Sequence, residues 1–107
     1  MTVLEAAPLG VAGHVRPTTV HLSGEIDIFT SAAFRRQLMT TLHCGTSLLV
    51  IDLSEVSFCD ASGLAVLVGI QHRARAMGIS VALTAPRPFM RRLLRLTGLD
   101  RSLPTMA

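Results

Sequence analysis

The short segment from Phe58 to Leu64 carries the groups best suited to chemistry in this sequence. It places a carboxylate at Asp60 and a hydroxyl at Ser62 in a small-residue turn, just ahead of an apolar helical pattern. The first turn of a helix has unpaired N–H groups and a partial positive charge, so a serine there can be phosphorylated and the helix end tolerates the added charge. Gly63 would let another molecule approach the backbone closely. The alternative is that Asp60 and Ser62 only cap the helix.

Other residue patterns that could bind a metal or a phosphate or carry out catalysis are missing from the sequence. The histidines and cysteines show no metal-ligand spacing and no CxxC pair. The sequence has no glycine-rich phosphate-binding motif, and no serine carries a signature that would pair it with a histidine base. It therefore predicts no metal, no cofactor and no enzymatic activity. Cys44 and Cys59 are expected to be ordinary reduced thiols, with oxidation of Cys59 as the alternative.

Composition and charge narrow the class of function. Hydrophobic residues make up 50% of the 107 residues and charged residues 16%, so the chain can bury a core and is not expected to be disordered. All ten basic residues are arginine, and six of them lie between Ala61 and Leu99, a stretch without an acidic residue. Such a basic face could steer acidic partners. Nucleic-acid binding is disfavoured, because aromatic residues at the spacing of RNA-binding modules and a helix-turn-helix pattern are missing.

The sequence shows neither a membrane span nor a signal peptide. A spanning helix needs about 20 largely apolar residues, and every apolar run here is shorter or interrupted by polar residues. The first residues, Met1 to Glu5, lack a basic start and an apolar stretch. The sequence therefore predicts a cytoplasmic protein that does not insert into a membrane.

Hydrophobic periodicity predicts the elements that position the turn. Strands are expected at 3–9, 18–26, 48–53 and 79–83, with a bend or bulge at Ser23–Gly24 and with residues 54–60 leaving the sheet. Helices are expected at 29–42 and 63–77, and a third is opened by two prolines and ended by Gly98. Apolar stripes mark the buried faces of the first and third helices: Phe34, Leu38 and Leu42, then Phe89, Leu93 and Leu96.

The predicted order is β-β-α-β-α-β-α, followed by a tail at 101–107. The run 48–53 is almost continuously apolar, which is typical of a strand buried on both faces. The fold class is therefore α/β: a mixed sheet of about four to five strands with three or more helices packed mainly on one side. All 107 residues are expected to form a single domain, of which residues 1–17 are the least defined part.

Three sequence blocks, Leu22–Asp27, Val50–Phe58 and Asp60–Leu64, occur in an order and at separations that match a known family. Together they resemble the STAS domain of bacterial anti-anti-sigma factors over residues 18–100. The resemblance implies the same fold and a role as a partner switch in transcription regulation, for instance in a stress response. Such a domain binds an anti-sigma factor, which is also a serine kinase of the histidine-kinase-like ATPase type, and so frees a sigma factor. The kinase then phosphorylates the turn, and a serine phosphatase resets it.

The resemblance also implies a partner-binding surface, made of Glu25, Asp27, Asp60, Ala61, Ser62, Gly63 and Leu64. The usual phosphoacceptor of the family directly follows the aspartate of the turn, and that position is Ala61 here. Either Ser62 is the acceptor, shifted by one position, or the protein antagonises its partner constitutively. Asp27 either helps to place a metal–nucleotide on the kinase side or caps the first helix. The alternative function is that of a STAS subunit in a membrane complex that transports lipids or anions.

Overall fold

The computed structural model describes residues 3–5 and 16–106. Its strands are β1 (Val3–Glu5), β2 (Pro17–Ile26), β3 (Leu48–Cys59), β4 (Ser80–Thr84) and β5 (Thr105–Met106). Its helices are α1 (Ser31–Leu42), α2 (Ala61–Ala76) and α3 (Pro88–Thr97), followed by a 3₁₀ turn at Leu99–Arg101. The predicted element order is confirmed, although residues 6–9 of the predicted first strand lie outside the described residues. Within the described part of the chain, no helix is long and apolar enough to cross a membrane.

The strands follow one another across the sheet in chain order, β1-β2-β3-β4-β5. β1 runs antiparallel to β2, and all other neighbours are parallel. Parallel neighbours need a crossover, and α1, α2 and α3 each occupy one of these connections. The carboxyl ends of β2 and β3 therefore lie at the same edge of the sheet, and α1 and α2 both begin there.

One face of the sheet carries the core. Val20, Ile51 and Leu83 form a row across three strands on this face, and all three are fully buried. They belong to one cluster with buried side chains from all three helices: Leu38, Leu42, Leu67, Ile70, Met90 and Leu94. Val50 and Ala82 pair on the opposite face and lie outside this cluster. The helices thus pack on one side of a mixed sheet, as predicted, and each buried aliphatic side chain contributes about 1.5–3 kcal/mol.

β3 continues well beyond its predicted end. The mixed polar sequence after Leu53 suggests that the chain leaves the sheet, but pairing with β2 persists to the last residue of both strands. The pairing survives because two register shifts, both within 21–25 of β2, let β3 accommodate extra residues. The irregularity predicted around Ser23–Gly24 is present, since the two shifts flank this pair, but the extra residues lie in β3. Gly24 has a φ of +90° there. The longer β3 delivers the predicted turn to the end of β2.

α3 buries a different face from the predicted one. Met90 and Leu94 are buried, whereas Phe89 and Leu96 are exposed and Leu93 is half-buried. Both sets of residues have helical spacing, so periodicity alone does not distinguish them. The orientation of α3 against the rest of the core is what buries Met90 and Leu94.

The predicted C-terminal tail is part of the fold. Leu103 is fully buried, and the carbonyl of Pro104 accepts a hydrogen bond of 2.8 Å from the backbone N–H of Leu83. The side-chain amide of Gln71 in α2 donates to the carbonyl of Ser102. These contacts place β5 at the edge of the sheet beside β4.

Candidate functional site

The predicted turn follows β3 at the edge of the sheet where β2 also ends. The backbone N–H of Asp60 donates to the carbonyl oxygen of Ile26 across 3.2 Å. This bond ties the start of α2 to the last residue of β2. The site residues predicted near the end of β2, Glu25 and Asp27, therefore share one edge with those of the turn.

Asp60 is the N-cap of α2. Its Oδ1 accepts hydrogen bonds from the backbone N–H groups of Ser62 at 2.8 Å and Gly63 at 3.2 Å. Two of the unpaired donors of the first turn are satisfied in this way. Because of this cap, α2 already begins at Ala61, ahead of its predicted start. The capping role predicted for Asp60 is confirmed, and the cap also places a carboxylate next to Ser62.

Gly63 is buried against the end of β2. A Cβ at this position would lie 2.5 Å from the Sγ of Cys59 and 2.9 Å from both Cγ2 and the carbonyl oxygen of Ile26. These distances are far below van der Waals contact, so only glycine lets α2 approach β2 this closely. The close approach expected at Gly63 is thus made by the protein itself, and this residue offers little surface to a partner.

The other residues of the turn differ in what they face. Ala61 is exposed, and Leu64 is partly buried against the core. Ser62 is half-buried, and the Asp60 cap engages its backbone N–H rather than its hydroxyl. Ser62 lines a groove of about 530 Å³ between α1 and α2, together with Ser31, Ala32, Arg35, Ala65, Val66 and Gly69.

Cys59, directly before the turn, is a buried free thiol. Burial and, secondarily, the charge of Asp60 raise the pKa of the Cys59 thiol to about 11. Its sulfur lies 3.6 Å from the carbonyl oxygen of Asp60. The thiol is therefore protonated at neutral pH, which favours the prediction of an ordinary reduced cysteine over a reactive one.

Asp27 closes the turn between β2 and α1. Its Oδ1 accepts from the backbone N–H groups of Phe29 at 2.9 Å and Thr30 at 3.1 Å. The Thr30 hydroxyl donates to the carbonyl of Glu25 at 2.7 Å and accepts from the backbone N–H of Asp27 at 2.9 Å. This bonding gives Asp27 a structural role in the turn before α1. Its side chain does not cap the helix itself, because the N-cap is Thr30 and the helical N–H groups begin at Ser31.

Two apolar residues at the tip of this turn are missing from the predicted site. Ile28 is 70% exposed and Phe29 is 91% exposed; we call these two residues the apolar tip. Periodicity assigns Phe29 to the first helix, but the helix starts only at Ser31 because residues 27–30 form the turn. An aspartate followed three residues later by threonine is the sequence signal that could have indicated this turn.

Acidic residues concentrate at this end of the sheet. Six acidic residues occur in 16–106, and four of them lie in the last part of β2, the last part of β3 or the turns that follow. We call these four the acidic edge: Glu25, Asp27, Glu55 and Asp60. The segments 17–34 and 37–72, which build this region, contain no arginine or lysine. Two arginines border it in space: Arg87 Nε donates to the carbonyl oxygen of Ser54, next to Glu55, and Arg35 lines the groove beside Ser62. With four carboxylates against these two, the edge is still locally acidic on a chain whose net charge is +3.

The chain resembles known proteins over almost its whole length. The family model described as "Mlab, STAS domain" matches residues 9–105. The anti-sigma-F factor antagonist RsfB of Mycobacterium tuberculosis is 28% identical over 102 residues, which cover 95% of this chain and 83% of the relative. The anti-sigma-B factor antagonist of Bacillus subtilis is 32% identical over 80 residues, covering 75% of this chain and 72% of the relative.

A solved structure shows the same similarity. The crystal structure of an anti-sigma factor antagonist from Mycobacterium paratuberculosis matches this fold with a TM-score of 0.76 and 31% identity, over 97% of this chain and 83% of the other. Sequence blocks, element order and overall geometry thus agree. The chain belongs to the STAS-domain family of anti-sigma factor antagonists.

Proposed function

We propose that this protein binds an anti-sigma factor and thereby frees a sigma factor. The observation that carries the proposal is the convergence of Glu25, Asp27 and the start of α2 at one sheet edge, joined by the hydrogen bond from Asp60 to Ile26. Two curated relatives and one solved structure, all named anti-sigma factor antagonists, support it. The proposed place of action is the cytoplasm, where sigma factors meet RNA polymerase.

The proposed partner is an anti-sigma factor with a histidine-kinase-like ATPase fold. The exposed residues Glu25 and Ala61 and the half-buried Ser62 supply the contact surface, with Leu64 adding the part of its side chain that the core leaves uncovered. Asp27 uses Oδ1 in its own turn, so any contact with a metal–nucleotide on the kinase side falls to Oδ2. Gly63 contributes indirectly, by seating α2 close to β2.

The proposal includes an off switch at Ser62. The kinase transfers the γ-phosphoryl group of ATP to the serine oxygen, which releases ADP and the hydroxyl proton. The new group carries about −1.5 to −2 charges and lies next to the Asp60 carboxylate, so it disfavours a close, desolvated interface. The fold tolerates the charge, because Arg35 lines the same groove and the N-terminal end of α2 is partially positive.

Titration calorimetry with each anti-sigma factor of the source organism, purified singly and loaded with ADP, tests this function. We expect one of them to bind the full chain, and Ser62→Asp to weaken that binding by about tenfold or more. Ser62→Ala should bind as the wild type does. Ser80→Asp, at an exposed position at the start of β4 and so at the opposite edge of the sheet, is the matched control for an added charge and should bind as the wild type does. If none binds and the chain instead captures a permease or a transport ATPase, the transport-subunit function replaces this one.

Constitutive antagonism is the second candidate, and the contrast between positions 61 and 62 favours it. The exposed position at the start of α2 holds Ala61, while Ser62 lines the groove towards α1. Phosphopeptide mapping after incubation with the bound anti-sigma factor and ATP separates the two candidates. Phosphate on Ser62 supports the switch. An unmodified wild type, together with phosphate gained by Ala61→Ser, supports constitutive antagonism.

A further inference from the structure

The apolar tip exposes two large hydrophobic side chains in a protein that buries most others. Ile28 and Phe29 are 70% and 91% exposed, although the adjacent Ile26 is fully buried. An aromatic side chain buries roughly 150–250 Å² when it enters a pocket, so leaving Phe29 in water forgoes a large hydrophobic gain. Exposed apolar side chains rimmed by polar residues are typical of protein–protein contact sites.

The backbone that carries the apolar tip is held rigidly. Four hydrogen bonds of 2.7–3.1 Å connect Asp27, Thr30, Phe29 and Glu25 within this single turn. The turn is also anchored at both ends, by β2 before it and by α1 after it. The two side chains are therefore presented in a fixed place, and binding does not have to order the loop. Such preorganisation lowers the entropic cost of association.

The charge around the apolar tip indicates what kind of surface fits it. Glu25 and Asp27 precede the tip directly, and Asp60 is bonded to the end of the same strand. The nearest arginine that follows in sequence is Arg35, in the second turn of α1. A complementary surface therefore has an apolar pocket with lysine or arginine side chains on its rim.

We propose that Ile28 and Phe29 form the anchor by which this protein selects its anti-sigma factor, inserting into an apolar pocket with a basic rim on that partner. This inference rests on the proposed function and names residues outside the predicted site. Hot-spot residues of interfaces are few, large and surrounded by polar contacts, which is the arrangement seen at this turn.

Alanine variants test the anchor. Phe29→Ala should weaken binding of the purified anti-sigma factor by about 30-fold or more, and Ile28→Ala by a smaller factor. Leu96→Ala is the matched control, because Leu96 is a 73% exposed apolar side chain on α3, away from this edge. The control should bind like the wild type. All three variants should keep the melting temperature of the wild type, since each removes a side chain that the fold leaves in solvent.

Fluorine NMR provides a readout without any change of sequence. The chain contains only four phenylalanines, at positions 29, 34, 58 and 89, so labelling with 4-fluorophenylalanine gives four assignable signals. On addition of the anti-sigma factor, we expect the Phe29 signal to shift or broaden. The signals of Phe34, which packs against the core, and Phe89 on α3 should stay in place.

Failure of the anchor and failure of the proposed function give different results. If an anti-sigma factor binds, but the Phe29 signal is unmoved or Phe29→Ala binds as tightly as Leu96→Ala, the anchor is overturned and the proposed function stands. If no anti-sigma factor of the organism binds the wild-type chain, both are overturned.

Discussion

At the scale of single residues, the carboxylates of the acidic edge maintain the backbone before they meet any partner. Asp60 caps α2 through two N–H groups, and Asp27 holds two more in the turn before α1. Replacing either by alanine leaves unpaired donors, and loss of such a cap costs about 0.5–2 kcal/mol. A loss of partner binding in these variants therefore reports a function only when the unfolding free energy is measured alongside.

The two cysteines should react at very different rates. Cys44 is exposed, whereas Cys59 is buried and its pKa is raised to about 11. Each pKa unit lowers the thiolate fraction about tenfold, so Cys59 should react with iodoacetamide at pH 7 about 100-fold or more slowly than Cys44. Peptide mass spectrometry over a time course measures both rates. Rapid labelling or peroxide oxidation of Cys59 in the folded protein would restore a redox role for this residue.

Asp52 should make the stability of the protein depend on acidity. Burial raises the pKa of Asp52, but hydrogen bonds from Ser54 and the charge of His21 outweigh it, so the pKa lies below its ordinary value. The Asp52 Oδ2 lies 3.0 Å from His21 Nδ1 across the β2–β3 pair. A lowered folded pKa means that the stabilisation is present above the unfolded pKa, near 4, and is lost as the pH falls through the folded value.

Asp52→Asn should therefore reduce the free energy of unfolding by about 1 kcal/mol at pH 7. The difference from wild type should shrink when urea unfolding is repeated near pH 3, because Asp52 is then largely protonated in the unfolded chain. The exposed Asp100 serves as the control, and Asp100→Asn should be close to neutral at both pH values. A difference that does not change with pH would show that the charge of Asp52 contributes nothing.

At the scale of elements, the close packing of α2 against β2 depends on the absence of a side chain at Gly63. Gly63→Ala forces a Cβ against Cys59 and against the backbone of Ile26, and overpacking of this kind costs about 1–3 kcal/mol. Gly69, in the same helix, has open space around its Cα, so Gly69→Ala should stabilise the protein by up to about 1 kcal/mol. Chemical denaturation of the two variants should thus give shifts of opposite sign.

A double variant shows whether the contact itself is responsible. Cys59→Ala removes the sulfur, which is the nearest atom to the added methyl group, but leaves the carbonyl of Ile26 in place. The combination with Gly63→Ala should therefore recover part of the lost stability, and not all of it. If the two effects simply add, the cost of Gly63→Ala comes from somewhere other than this contact.

Sequence periodicity predicts best the elements whose pattern depends only on residues close together in the chain. β2 with its irregularity, the buried side of α1 and the Asp60 cap follow from alternation, helical spacing and capping chemistry. The end of β3 does not, because its register shifts depend on the partner strand. Periodicity also does not predict the buried face of α3, because tertiary packing chooses between two helical stripes. It does not predict the apolar tip, because the sequence of this turn resembles the start of a helix.

At the scale of the whole molecule, acidic and basic residues are concentrated in different regions, with Arg87 as the exception, since it donates to the carbonyl of Ser54 beside Glu55. The acidic edge lies in segments without arginine, whereas residues 61–99 contain six arginines and no acidic side chain. Arg91, Arg92 and Arg95 of α3 are all exposed. A protein with a net charge of +3 can therefore approach a basic partner in one preferred orientation, with the acidic edge leading.

This separation predicts how association with the anti-sigma factor responds to salt and to single charges. Raising sodium chloride from about 50 mM to about 500 mM should lower the association rate constant, because surface charges are then screened beyond a few ångströms.

Glu55→Gln should lower the association rate constant several-fold at low salt and leave the dissociation rate constant nearly unchanged, as expected for a charge at the rim of an interface. Arg92→Gln is the matched control and should leave association unchanged or slightly faster. Stopped-flow or biolayer measurements with the purified partner give both rate constants. If Arg92→Gln slows association and Glu55→Gln does not, the arginine face of α3 meets the partner, and the acidic edge serves only to build the turns that it contains.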